Sequence, residues 1–382
     1  MSTPLVIVGT GLAGYTLARE VRKLDPDREI VMVTADDGSS YSKPMLSTGF
    51  AKGKAADGLV MASAADMAAQ LRLVVRTGTQ VVALNARERI LTLDTGEVIQ
   101  AEAVVLATGA SPIRLPVEQQ APERVFHINS LEDYRRFRDA LPDSARVLIM
   151  GAGLIGCEFA NDLLQGGHSP EVVAPCDAPL PGLLPTEAGR VLQAGLEAAG
   201  ARFHLPAVVT RLTGHESGVT AELDTGVALK ADAVISAVGL RPDLALAQAA
   251  GLAVNRGIVV DRYLRTSAEG IHALGDAAEI EGQVRLYVQP LMASARALAR
   301  TLCGEPTAVT FGPMPVVVKT PACPVVVCPP EAPEGQWHLH ASDDINHVCR
   351  FEDAQGQLKG FALVGPEAVM EKMALTRALT SG

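Results

Sequence analysis

This sequence predicts an α/β fold: two doubly wound nucleotide-binding modules and a small α+β C-terminal domain. Three observations predict it. A strand, a G-x-G-x-x-G turn and a helix follow one another twice, at Gly9 and again at Gly151. Each copy is completed later by an apolar strand that delivers a glycine, at Gly109 and at Gly239. From Pro306 the character changes, with seven prolines between Pro313 and Pro333 and short strand-like runs after them.

In the first copy, the apolar run Leu5 to Val8 reads as a strand, Tyr15 to Leu24 as a helix stopped before Pro26, and Ile30 to Val33 as a second strand. Gly9, Gly11, Leu12, Ala13 and Gly14 form the turn between strand and helix. The first glycine permits the tight turn, the second lets the backbone approach a pyrophosphate, and the third allows close helix–strand packing. The helix N-terminus then offers N–H groups and a positive dipole end to phosphates. The acidic residue expected at the end of the second strand, where it would hold an adenosine ribose, is Asp36, with Asp37 as competitor.

The second copy runs from the strand Arg146 to Met150, through Gly151, Gly153, Leu154, Ile155 and Gly156, into a helix over Cys157 to Gln165 and a strand over Glu171 to Ala174. Pro175 stands where a carboxylate is usual, and no Lys or Arg occurs from Glu171 to Glu187. Nothing there waits for a 2′-phosphate, so the pattern favours NADH over NADPH. The strands ending in Thr108-Gly109 and Val238-Gly239 lie beside the two crevices. Two dinucleotide sites imply two cofactors, a nicotinamide that exchanges and a resident one, most simply FAD. A third stretch, Ile271 to Asp276, is an apolar strand ending in Gly275-Asp276 ahead of a helix over Leu291 to Leu302. An aspartate there can accept a hydrogen bond from a ribityl hydroxyl, and the helix start can direct N–H donors at a reduced flavin.

With these segments in place, the full chain resembles the two-domain FAD/NAD(P)-dependent pyridine-nucleotide reductases, and within them the rubredoxin reductases of the Pseudomonas type. The resemblance rests on Gly9 to Tyr15, Tyr41 to Ser47, Gly151 to Glu158, Ala253 to Gly257 and Val318 to Pro324. It implies that Gly9, Gly11, Gly14 and Asp36 hold the FAD adenosine and pyrophosphate, and that Lys43 and Pro44 lie along the flavin. Thr108 and Gly109 then touch FAD, and Asp276, beside Gly275, takes its ribityl chain. Gly151, Gly153, Ile155, Gly156 and Gly239 line the NADH site, with Glu158 near the nicotinamide. Lys319 approaches the flavin pyrimidine edge, where a fixed cation stabilises developing negative charge. Lys43, Lys319 and Glu158 are thus the candidate catalytic residues. The implied reaction is hydride transfer from NADH to FAD and single-electron transfer to two rubredoxins, feeding an alkane hydroxylase or an oxygen-scavenging route.

Two departures from related families matter. Ferredoxin reductases of dioxygenase systems carry Arg-Pro and a Lys four residues beyond, where this chain has Lys43-Pro44 and Thr48. Disulfide reductases of the fold carry cysteines in the segment that here runs from Tyr41 to Thr48, and this chain has none there. Without a thiol relay, the expectation is direct delivery to an outside acceptor. A ferredoxin or flavorubredoxin reductase, a slow FAD/NADH redox sensor and a flavin-free scaffold are the alternatives.

Composition bounds the rest. Lys+Arg is 33 and Asp+Glu is 43, for a net charge of −10, and aromatics are 4%. An acidic chain poor in aromatics argues against nucleic-acid binding. No apolar run is long enough for a membrane span and no secretory signal is read, so a cytoplasmic monomer is the expectation. The six cysteines, Cys157, Cys176, Cys303, Cys323, Cys328 and Cys349, lack metal-ligand spacing and read as free thiols, with no metal site. Ser130 to Asp133 reads as a capping box opening a helix over Leu131 to Leu141. The expected domains are FAD-binding over 1–112 and 240–305, NADH-binding over 113–239, and an acceptor-interface domain over 306–382.

Overall fold

The computed structural model describes residues 3–331 and 334–381. The elements that build the two crevices are, in chain order, β1 (Leu5–Val8), α1 (Leu12–Leu24), β2 (Ile30–Val33), β3 (Ala103–Leu106), β4 (Val125–Phe126), α2 (Leu131–Ala140), β5 (Arg146–Met150), α3 (Leu154–Gln165), β6 (Ser169–Val173), β7 (Ala233–Ser236), β8 (Ile271–Ala273) and α4 (Val288–Leu302). The chain forms two compact units. One comprises the described residues up to Lys43, Val60–Ser111 and Leu240–Phe311. The other comprises Pro44–Leu59, Pro112–Gly239 and the described residues from Gly312 onward.

In the first unit the strand order is β8, β3, β1, β2, Val74–Arg76, and all pairings are parallel. Every residue of β1 and β3 is buried, as a strand covered on both faces requires. The second unit repeats the plan with the order β4, β7, β5, β6, Arg202–His204, again all parallel. An antiparallel meander (Val209–His215, Gly218–Leu223, Ala228–Ala231) packs on one face of this sheet, through Leu212, Val219 and Ala221 against Leu148, Met150 and Val234.

The C-terminal segment forms its own antiparallel sheet, ordered Val316–Val318, Val325–Cys328, Leu358–Val364, His347–Glu352, Gln336–Ser342. Its Val318, Val325, Val327 and Ala362 share a core with Leu180, Leu192 and Leu196 of the second nucleotide module. The sheet therefore belongs to the second unit. A 3₁₀ turn at Ala368–Glu371 precedes a helix over Lys372–Ser381.

Helices α1 and α3 begin three residues before the expected Tyr15 and Cys157, because their N-caps are the middle glycines, Gly11 and Gly153. The glycine turn is itself the first helical turn. Helix α4 likewise starts at Val288 rather than Leu291. The capping box at α2 forms in both directions between Ser130 and Asp133. Cys157, Cys323, Cys328 and Cys349 are buried free thiols, and burial pushes Cys323 and Cys328 up to about 11. Such thiols stay protonated and inert at neutral pH.

Candidate active site

Two crevices open at the carboxyl ends of the two parallel sheets, one in each unit. In the first, Gly9 follows β1 with φ +112, and a Cβ there would meet the Ala107 carbonyl oxygen at 2.3 Å. At Gly14 a Cβ would lie 2.0 Å from the Gly9 carbonyl oxygen, so the helix sits hard against the turn. Around Gly11 and Gly109 a Cβ would meet nothing within 4 Å, which leaves room for a ligand to approach the backbone. No side chain caps α1, so its first-turn N–H groups face this opening.

The structure separates the two candidate aspartates. Asp36 Oδ1 accepts from Thr34 Oγ1 (2.6 Å), Gly38 N (2.9 Å) and Thr10 Oγ1 (3.3 Å), which fastens it to the glycine turn. Asp37 closes a local turn on Ser39, accepting from its N (2.9 Å) and Oγ (3.0 Å). Thr108 Oγ1 donates to the Asp243 carbonyl (3.2 Å). Gly275 has φ +75 and packs beside Ala13 of α1, bringing Asp276 to the same end of the sheet. Burial pushes the Asp276 carboxyl up, and the nearby Lys43 charge pulls it back. Lys43 opens a 3₁₀ turn that continues through Pro44 to Thr48. Helix α4 also starts without a side-chain cap, at Tyr287.

The second crevice repeats this geometry. Gly151 has φ +111 with the Ala237 carbonyl oxygen 2.5 Å from its would-be Cβ, and at Gly156 a Cβ would lie 2.0 Å from the Gly151 carbonyl oxygen. Gly153 is open, Ile155 is exposed, and Gly239 has φ +113 with its carbonyl accepting from Ile113 N (3.0 Å). At the end of β6, Ala174 is buried while Pro175 and Asp177 are exposed. Glu171 on β6 is held by His204 Nε2 at 2.8 Å and Arg202 at 3.5 Å.

Glu158 and Lys319, assigned separately from the sequence, meet here. Glu158 is 1% exposed; its Oε2 accepts from Ser47 Oγ (2.6 Å) and pairs with Lys319 Nζ, and its Oε1 accepts from Lys319 N (3.1 Å). The helix carries two further buried polar residues on the same face. Asn161 Oδ1 accepts from Ala322 N (3.1 Å), and the Asp162 carboxylate accepts from Ala51 N (2.8 Å) and Phe50 N (3.1 Å). Burial raises the Asp162 carboxyl against those bonds. Sequence reasoning missed Ser47, Asn161 and Asp162. The available signal was polar residues at 158, 161 and 162, one face by helical spacing, on an otherwise apolar helix.

Among the described residues no group of His, Cys, Asp and Glu could hold a metal ion, and no helix is long and apolar enough to cross a membrane. Two glycine turns of one design, each at the carboxyl edge of a parallel sheet, are the architecture of a two-dinucleotide oxidoreductase. The chain belongs to the pyridine nucleotide-disulphide oxidoreductase family, whose model matches residues 3–297, and residues 308–379 match the rubredoxin binding C-terminal domain. More particularly, it is 50% identical over 379 residues, 98% of each chain, to the rubredoxin-NAD(+) reductase of Alcanivorax borkumensis. It is 36% identical over 373 residues to the nitric oxide reductase FlRd-NAD(+) reductase of Aeromonas hydrophila, covering 96% of this chain and 94% of that one. Among solved structures, a covalent putidaredoxin reductase–putidaredoxin complex aligns with a TM-score of 0.88 at 26% identity, covering 99% of this chain and 94% of that one.

Proposed function

We propose that this chain is a cytoplasmic FAD-dependent reductase that takes reducing equivalents from NADH and delivers them to rubredoxin. The observation that carries the reading is a rubredoxin binding C-terminal domain match over 308–379 that shares one core with a dinucleotide module. FAD, when bound, accepts a hydride and releases its electrons singly, the conversion that joins a nicotinamide donor to a one-electron iron protein. The open approach at Gly11 and Gly109 and the uncapped start of α1 fit a bound dinucleotide of this kind.

On this reading, Gly9, Gly11, Leu12, Ala13 and Gly14 cradle the FAD pyrophosphate, and Asp36 holds the adenosine ribose. Thr108, Gly109, Gly275, Asp276 and Lys43 complete that crevice. Gly151, Gly153, Ile155, Gly156 and Gly239 receive NAD(H). Glu158, with its charge balanced by Lys319, presents a fixed, dry carboxylate at the second crevice, and Ser47 holds it in one orientation. NADH rather than NADPH follows from the stretch without Lys or Arg between Glu171 and Glu187. The reduced rubredoxin would serve an alkane hydroxylase or an oxygen-scavenging route.

The test is cytochrome c reduction by NADH with rubredoxin, with a ferredoxin, and with neither. Fast, saturable reduction only with rubredoxin is expected. Equal or better rates with ferredoxin would move the acceptor to that class. A flavin that bleaches with NADH yet turns over with neither would favour a sensor.

A further inference from the structure

Lys319 reaches Glu158 from a turn that joins the antiparallel strands Val316–Val318 and Val325–Cys328. The turn is closed on itself. Thr320 N donates to the Val318 carbonyl (2.9 Å), Cys323 N to the Thr320 carbonyl (2.9 Å), and the buried Thr320 Oγ1 to the Cys323 carbonyl (2.8 Å). Its far end is seated. Cys323 packs on Gly195 of the helix Thr186–Ala198, where a Cβ would lie 2.6 Å from the Cys323 Cβ, and Gly365 N donates to the Pro324 carbonyl (2.8 Å). Its crest, Pro321 and Ala322, is exposed to water.

Two side chains of α3 tie the turn down. Lys319 N donates to Glu158 Oε1 (3.1 Å), and Ala322 N donates to Asn161 Oδ1 (3.1 Å). Residues three apart on a helix are neighbours on one face. Glu158 also pairs with Lys319 Nζ. Both of these Lys319 donors therefore end on one carboxylate, and one carboxylate is a pivot about which the turn can swing. Asn161 supplies a second point, which fixes the direction of the turn along the helix. A neutral amide suits the place. Glu158 and Asp162 are each 1% exposed and Asn161 is 2% exposed, so a carboxylate at 161 would add a third buried negative charge. Without the amide, water could take the Ala322 N–H and the turn could lift.

We propose that Asn161 is a positioning residue: by pinning the Lys319 turn at a second point, it holds the Glu158–Lys319 pair in the form that receives the nicotinamide. The proposal rests on the reading of Glu158 as the residue at the nicotinamide. Linkage makes it reciprocal. If the pinned turn favours the nicotinamide, the nicotinamide must stabilise the pinned turn by the same factor.

The experiment compares calorimetric binding of NAD+ and ADP-ribose to the oxidised holoprotein. ADP-ribose has the same adenosine, pyrophosphate and ribose but no nicotinamide. Asn161→Leu, of similar volume without the acceptor, should weaken NAD+ about fivefold, the size of one lost hydrogen bond, and leave ADP-ribose within about twofold. Asn161→Ser, too short to reach Ala322, should do the same. Added to Lys319→Met, Asn161→Leu should change NAD+ affinity by less than about twofold, because the side chain it positions is gone. In wild type, which needs no variant to fold, NAD+ should slow amide hydrogen exchange at Lys319 and Ala322, and ADP-ribose should not. Equal weakening of both ligands would make Asn161 a support of the helix alone and overturn the proposal. So would no weakening of NAD+, an undiminished effect in the Lys319→Met background, or exchange that NAD+ leaves unchanged. The underlying reading fails differently: wild type would bind neither ligand, or Glu158→Gln would leave NAD+ binding unaltered, and the proposal would fall with it.

Discussion

The two glycine crevices differ far less in backbone than in what surrounds it. Gly9 and Gly151 have φ +112 and +111, and each would drive a Cβ into a neighbouring strand's carbonyl oxygen. At the first, Asp36 is tied to the turn through Thr10. At the second, the corresponding strand end offers Ala174, Pro175 and Cys176, with Asp177 exposed. The first strand end thus carries a carboxylate fixed by three hydrogen bonds, and the second carries none in the same place. Both helices anchor other segments, but α1 does so by donating from Tyr15 to Gly38 and from Arg22 to Leu71, whereas α3 does so through buried acceptors. Glu158 and Asn161 hold residues 319–322, and Asp162 holds residues 50–51. The helix after the second glycine turn is thereby joined to the C-terminal segment.

The sharpest way to break this comparison is to fill each turn. Gly9→Ala should yield protein with little bound flavin, and Gly151→Ala should stay yellow but bind NADH about a hundredfold more weakly, given the ~3 kcal/mol that such backbone strain costs. Absorbance at the flavin band and NADH titration read the two effects. If both variants lost flavin equally, the division of roles would fail.

The Glu158–Lys319 pair should respond asymmetrically. Lys319 is 29% exposed and can turn to water, whereas Glu158 cannot. Lys319→Met leaves a buried, unbalanced carboxylate and should cost about 3 kcal/mol in urea unfolding, and Glu158→Gln about 1 kcal/mol. The reverse order would mean that the bonds Glu158 accepts from Ser47 and from the Lys319 backbone, rather than the ion pair, carry its stability.

The two outer strands next to the third-strand glycines also differ. In the first unit β8 carries His272, 8% exposed, and burial lowers its pKa to about 4. The unfolded chain takes up this proton near pH 6.5 and the folded chain only near 4. The stability is therefore complete above pH 6.5 and falls as pH drops through that window, by about 2 kcal/mol at pH 5. In the second unit the outer strand β4 is Val125–Phe126, and His127 just after it is only half-buried. Denaturation curves at pH 7 and pH 5 should show the loss, and His272→Leu should remove most of it.

The smallest effect is shared. Ser63 and Ser130 each close a two-way capping box, in the first and second units respectively. Alanine at either should cost about 1 kcal/mol by thermal or urea unfolding. A much larger loss at Ser130 would mark α2 as a structural keystone of its unit.

The sequence by itself determined both glycine turns, their flanking strands and the Gly275-Asp276 strand end. These are local patterns, in which a period of apolar residues and a few glycines leave the backbone one low-energy course. Only the tertiary structure tied Asp36, and not Asp37, to the glycine turn, through Thr10 across it. It also placed Ser47 and Lys319 on one carboxylate and joined residues 44–59 and the C-terminal sheet to the second unit. All of these are contacts between residues far apart in the chain. The buried polar face at 158, 161 and 162 announces that partners exist; folding alone selects which backbone N–H groups they will be, since a buried polar atom must be satisfied by whatever the packing brings to it.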